Sequence, residues 1–179
     1  MSQTSAATHH DSPNAAESAR LGKFLSFGLN GQSYAVNVLK VREIIRLQTI
    51  TALPQMPHYV RGVINLRGKV IPVVSLASKL GLPTGEEDER TCIIVLEVSS
   101  ADGSKESEIG FVVEQVEDVF NLHGNEFEEP PSMGGQITFE GLLGLAKHGE
   151  VVRSVLDIDR VMGVRELSEL ESQIDLASA

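Results

Sequence analysis

Arg61-Gly-Val-Ile-Asn-Leu-Arg-Gly-Lys-Val-Ile-Pro-Val-Val-Ser75 decides the fold. Two apolar runs, Val63 to Leu66 and Val70 to Val74, flank Arg67-Gly68, and this reads as two strands joined by a tight turn. Gly62 and Gly68 are explained by turn geometry or close backbone approach without any partner. Pro72 lacks an amide donor, so the second strand is expected at a sheet edge or a bulge. Upstream, Leu25, Phe27 and Leu29 alternate within Phe24 to Leu29, another strand. Asn30-Gly31 follows, a pair that tolerates positive φ and signals a hairpin. The return strand carries Tyr34, Val36 and Val38. From Leu39 the period changes: Val41, Ile44 and Ile45 fall at helical or irregular spacing, so a short helical turn is expected there. Thr51 to Pro57 is a connector punctuated by Pro54 and Pro57.

Downstream, Ser75 to Leu80 fits one helical turn closed by Gly81, and Leu82 to Glu89 is an acidic loop. Thr91 to Val98 is a buried strand. Ile109 to Val113 returns from a Ser, Asp and Gly turn, with Val116 and Val119 continuing it. Asn125 to Gln136, with Pro130, Pro131, Gly134 and Gly135, is a long loop. A last strand pair, Phe139 to Leu145 and Val151 to Leu156, surrounds Lys147-His148-Gly149, where Gly149 marks the turn. Val155, Ile158, Val161 and Met162 bury the start of a short helix. Glu166 to Ala179 is a frayed helix or a tail.

The chain reads as the same pattern twice. Tyr34 to Ile45 lies over Ile109 to Phe120, matching Val41 with Val116, Glu43 with Asp118, and Ile44 with Val119. Gly62 to Leu76 resembles Gly141 to Asp157, with a longer turn in the second copy. Offsets of roughly 75 and roughly 80 residues suggest two related halves. Val-rich strands also align by chance, which is the competing account. A true repeat implies two small β-barrels side by side, each closing its own edges.

Composition narrows function by exclusion. With 179 residues, the chain is one domain or two small ones. Fifteen Lys and Arg against 25 Asp and Glu give a charge of −10, which argues against nucleic acid, where clustered basic residues are needed. The single Cys92 excludes an internal disulfide framework or cysteine-rich zinc site and reads as a buried apolar residue. Residues 1–22 read as a disordered tail, and His9 and His10 there as solvated rather than metal-bound. No apolar run approaches a membrane span, so no direct membrane insertion is expected. His58, His123 and His148 stand in separate loops or turns, and no catalytic or phosphate-binding motif is present.

Arg61 to Leu76 resembles the signature of the CheW family, the bacterial chemotaxis coupling proteins. So do Phe24 to Ile45, Gly110-Phe-Val-Val-Glu114, and Gly141 to Leu145 with Leu156-Asp-Ile-Asp-Arg160. The resemblance covers about 23–163, with 164–179 left as a C-terminal tail. It implies a mainly β fold of two SH3-like five-stranded β-barrels side by side, with short helices. It implies no catalysis and no cofactor, only a cytoplasmic scaffold at membrane-associated chemoreceptor arrays. The implied partners are the cytoplasmic tip of methyl-accepting chemoreceptors, the regulatory domain of a CheA-type histidine kinase, and other CheW-like proteins of the array. The alternatives are an adaptor of another chemosensory pathway, serving pili or a second messenger, and a small-molecule-binding β-barrel.

On the same resemblance, Glu43 and Arg67 pair near a receptor groove. The competing account is an exposed ion pair contributing about 0 to 1 kcal/mol. Val41, Ile44, Val63 and Leu66 carry over as groove-lining residues, though apolar residues of β proteins more often face a core. Gly62 lets a receptor helix approach closely. Asn65 is a groove candidate whose commoner role is to satisfy a turn. Ser75 departs from the family's acidic residue, whereas the second half keeps Asp157 at its nearest equivalent. Pro130, Pro131 and Met133 are partner-loop candidates.

Overall fold

The structure is a computed structural model and describes residues 22–100, 102–130 and 140–177. The first half supplies β1 (Gly22–Leu29), β2 (Gln32–Asn37), a 3-10 turn (Val38–Lys40), β3 (Val41–Arg46), β4 (Val60–Leu66), β5 (Lys69–Ser75) and α1 (Leu76–Lys79). The second supplies β6 (Cys92–Ser99), β7 (Glu106–Val113), β8 (Gln115–Leu122), a 3-10 turn (Gly124–Glu126), β9 (Phe127–Glu128), β10 (Leu142–His148), β11 (Val151–Leu156), α2 (Ile158–Met162) and α3 (Val164–Ala177).

These strands make two sheets, ordered β3-β6-β7-β5-β4 (barrel I) and β8-β1-β2-β11-β10-β9 (barrel II). Neither barrel belongs to one half of the sequence. Barrel I takes β3, β4 and β5 from the first half and β6 and β7 from the second. Barrel II takes β1 and β2 from the first half and the rest from the second. Each barrel contains one parallel pair, β5 with β7 and β11 with β2. A repeat is therefore present, but its halves exchange strands. The hairpin turns are also of equal length: Leu66 pairs with Lys69, and His148 with Val151. Gly144, not Gly141, corresponds to Gly62, and each follows a bulge in its strand.

Both glycines sit where their barrel closes. In barrel I, Thr51 bridges Val63, with both backbone N–H···O bonds at 2.9 Å. A Cβ on Gly62 would lie well inside contact distance of the Thr51 carbonyl, and its φ of 140° admits glycine almost alone. In barrel II, β9 plays the part of Thr51, and a Cβ on Gly144 would run into the Glu128 carbonyl and the Phe127 ring. Close backbone approach thus dictates glycine at both seams.

Three apolar layers result. Ile64, Ile71, Val73, Ile93, Val95 and Val112 fill barrel I. Phe24, Ala35, Phe120, Leu122, Ala146 and Val155 occupy barrel II. The largest layer lies between the barrels, where Leu25, Phe27 and Leu29 of β1 meet Ile94, Leu96 and Val98 of β6, together with α1, α2 and α3. β1 and β6 are buried on both faces, which is why they are apolar nearly throughout.

Several sequence expectations need correction. Val41 to Arg46 is a strand: the helical turn is confined to Val38–Lys40, and a bulge between Val41 and Glu43 breaks the alternation that would have announced β3. β5 is an interior strand, not an edge. Pro72 is accommodated because the parallel pairing with β7 begins only at Val73. Val116 and Val119 belong to a new strand, β8, in the other barrel. The C-terminal segment is a docked helix: Leu167 and Leu170 are buried, Glu166 pairs with Lys79, and Glu171 holds Lys105 and Ser107. Burying each leucine contributes about 2 kcal/mol. Of the tail expected over 1–22, Gly22 instead opens β1, and residues 1–21, with His9 and His10, lie outside the described residues. No helix among the described residues is long and apolar enough to cross a membrane.

Candidate functional site

Barrel closure brings the two ends of the barrel I sheet together. Glu43 lies on β3 and Arg67 in the β4–β5 turn, where Arg67 (φ 53°) and Gly68 (φ 83°) both adopt the left-handed region of a tight hairpin. From there Arg67 Nη2 donates to Glu43 Oε1 at 2.6 Å. The Arg67 side chain is 77% exposed and that of Glu43 26%. Such a pair stabilises by at most about 1 kcal/mol. Its stronger effect is to fix the position of a charge on the surface.

Apolar surface adjoins it. The bulge turns both Val41 and Ile44 toward the inter-barrel layer, opposite Leu96 and Ile94. Val41 packs against that layer, and Ile44 extends it outward at 45% exposure. Barrel II repeats this at its own bulge: Val116 and Val119 stand opposite Phe27 and Leu25, Val116 packed on the layer and Val119 exposed. Half-buried Cys92 pairs with Arg46 of β3 and packs against the inter-barrel layer, and burial pushes its thiol pKa up.

The other expected groove residues have structural work. Gly62 closes the barrel, and Val63 faces Thr51 across the seam. Leu66 packs against the barrel I interior. Asn65 Oδ1 accepts from Gly68 N at 2.8 Å, which is turn chemistry. Pro130 is half-buried and far along the chain from this surface, while Pro131 and Met133 lie outside the described residues. Asn30 and Gly31 form the β1–β2 turn with positive φ, and Gly149 likewise turns β10 into β11. Ser75 and Asp157 both cap helices: Ser75 Oγ accepts from Ser78 N at 3.3 Å, and Asp157 Oδ1 from Asp159 N at 3.1 Å and Arg160 N at 3.4 Å.

Sequence reasoning missed three positions. Val116 and Val119 were visible as repeat partners of Val41 and Ile44, and that match was the available signal. Leu39, 81% exposed on the 3-10 turn between the barrels, carried no signal beyond the break in period. Among the described residues no group of three or more His, Cys, Asp or Glu is placed to hold a metal ion.

Comparison with known proteins agrees with this architecture. The family model described as the CheW-like domain matches residues 23–166. A chemotaxis protein CheW of Bacillus subtilis is 31% identical over 140 residues, covering 78% of this chain and 86% of that protein. Its counterpart in Klebsiella aerogenes is 29% identical over 150 residues, covering 84% and 87%. A crystal structure of the scaffolding protein TtCheW from Thermoanaerobacter tengcongensis superposes with a TM-score of 0.70 at 27% identity, covering 82% of this chain and 95% of that one. The match takes in strands of both barrels, the seam glycines and the Glu43–Arg67 pair, and the chain belongs to the CheW-like domain family.

Proposed function

We propose that this chemotaxis coupling scaffold binds the cytoplasmic tip of a methyl-accepting chemoreceptor along β3 and its flanking turn, and holds the regulatory domain of a CheA-type histidine kinase on another face, within cytoplasmic chemoreceptor arrays. The observation that carries the reading is the oriented Glu43–Arg67 pair beside Val41 and exposed Ile44. A charged clamp next to an apolar strip suits an amphipathic helix, and receptor tips in this family are helical hairpins. The apolar side chains that pack barrel I leave its surface, not its interior, to meet a partner. A scaffold of this kind performs no chemistry. It passes on a receptor's conformational change only through the difference in its binding to the receptor's states.

A pull-down with a receptor-tip fragment and, separately, the kinase regulatory domain tests the reading. The chain is expected to capture both, and capture of neither overturns it. Arg67→Glu is expected to lose the receptor fragment while keeping the kinase domain and an unchanged far-UV circular dichroism spectrum.

A further inference from the structure

Inside barrel I, Ile64 and Ile71 face each other across the β4–β5 hairpin, both buried. The matching pair in barrel II is Ala146 and Arg153. An arginine thus occupies the place of a core isoleucine, and it is only 8% exposed. Its guanidinium lies 4.8 Å over the Phe120 ring. Among the described residues, the buried Nε and Nη1 atoms have no hydrogen-bond partner. Stacking on an aromatic ring satisfies the face of a guanidinium, whereas its N–H groups point in the plane and still need acceptors.

Three carboxylates on the surrounding strands and turns have partners of their own. Glu117 Oε2 accepts from Ser33 Oγ at 2.6 Å. Glu126 Oε2 lies 3.8 Å from His148 Nδ1, and the His148 ring sits 5.8 Å from the same Phe120 ring. Glu128 Oε1 accepts from Lys147 Nζ at 2.6 Å. A cation held at a core position, with two donors unmet among the described residues, fits an acceptor arriving from outside.

We infer that Arg153, at the end of barrel II bearing the β10–β11 turn, binds a carboxylate. The carboxylate comes either from a free small acid or from an Asp or Glu side chain of a partner. Its charge answers the guanidinium and its oxygens answer the unmet N–H groups.

The test uses the full chain, with acetate exchanged for chloride at constant ionic strength, and in parallel the blocked tripeptide acetyl-Gly-Glu-Gly-amide. Near saturation the wild type is expected to gain about 5 °C in Tm. Arg153→Met, which restores an apolar residue of similar length, is expected to fold and to show no response to either probe. If that variant does not fold, the Arg153 Nε–H resonance of the 15N-labelled wild type is followed instead, and it is expected to move on titration. A response to both probes supports a site open to small acids. A response to the tripeptide alone supports an acidic side chain as the source. Equal responses in wild type and Arg153→Met, or an unmoved Nε–H resonance with both probes, overturn the proposal.

Discussion

Barrel I and barrel II share a register strand for strand, so their differences can be read position by position. The seam glycines Gly62 and Gly144 match, as do the helix caps Ser75 and Asp157, and both barrels place apolar residues at the strand edge beside a bulge. At two matched places they part. Barrel I pairs Glu43 with Arg67, where barrel II has Asp118 and Gly149; Asp118 Oδ1 is turned to its own neighbour, Val119 N, at 2.8 Å. Barrel II buries Arg153 where barrel I buries Ile71. Positions that build a barrel recur in both copies, and positions that present charge occur in one only. The difference separates residues that hold the fold from residues available to act on something else.

The seams give the largest expected break. Gly62→Ala meets the Thr51 backbone at a φ that disfavours any side chain, and is expected to lose about 4 kcal/mol in chemical denaturation. Gly144→Ala, which carries the clash without the left-handed φ, should lose about 2 kcal/mol. Equal losses would mean that backbone strain at Gly62 adds nothing. The caps come next. Asp157→Ala removes a cap with two acceptor contacts and is expected to cost about 1.5 kcal/mol, against about 0.5 kcal/mol for Ser75→Ala with its single bond. A reversed order in melting experiments would contradict the cap geometry.

Converting barrel I toward barrel II with Arg67→Gly should change stability by less than about 0.5 kcal/mol, because relief of the positive φ offsets the lost surface pair. The same variant is expected to lose receptor capture, so a variant that binds normally would remove Arg67 from the site. The smallest effect belongs to the β6–β7 turn, the barrel I counterpart of Asn30-Gly31. There the hydroxyls of Ser100 and Ser104 hold the Asp102 carboxyl down at about 2. A lowered folded value stabilises above the ordinary carboxylate range, and the contribution is lost as pH falls through the folded value. The stability gap between wild type and Asp102→Asn should therefore be constant above about pH 5 and shrink between about pH 4 and about pH 2. A gap unchanged at the acid end would contradict the hydroxyl contacts.

Turns were legible because their chemistry is local: Asn30-Gly31, Arg67-Gly68 and Gly149 each announce a hairpin from adjacent residues. The Glu43–Arg67 site was legible through the family resemblance, not through spacing. β3 was not legible, since its bulge places Val41 and Ile44 on one face and mimics a helical interval. The seams were not either, because a single Thr51 bridge and a two-residue β9 leave no periodic trace. A repeat shows which strands correspond but not which barrel each joins, so the exchange between halves was invisible. Arg153 was hidden by ambiguity: in Val151 to Leu156 either alternate set can face inward, and the outward choice for arginine is the usual one.

The strand exchange has a consequence for synthesis on the ribosome. Barrel I has all its strands once the chain has grown to Val113. β1 and β2, made first, must then wait for β8 and β11, and Ser26 meets its partner Asp118 only after a separation of 92 residues. A two-stranded ribbon is marginal alone and exposes open edges. The first hairpin of this fold to be made is thus the last to be fully sheltered. Until β8 and β11 emerge, its open strand edges are the part of the growing chain most exposed to wrong pairing.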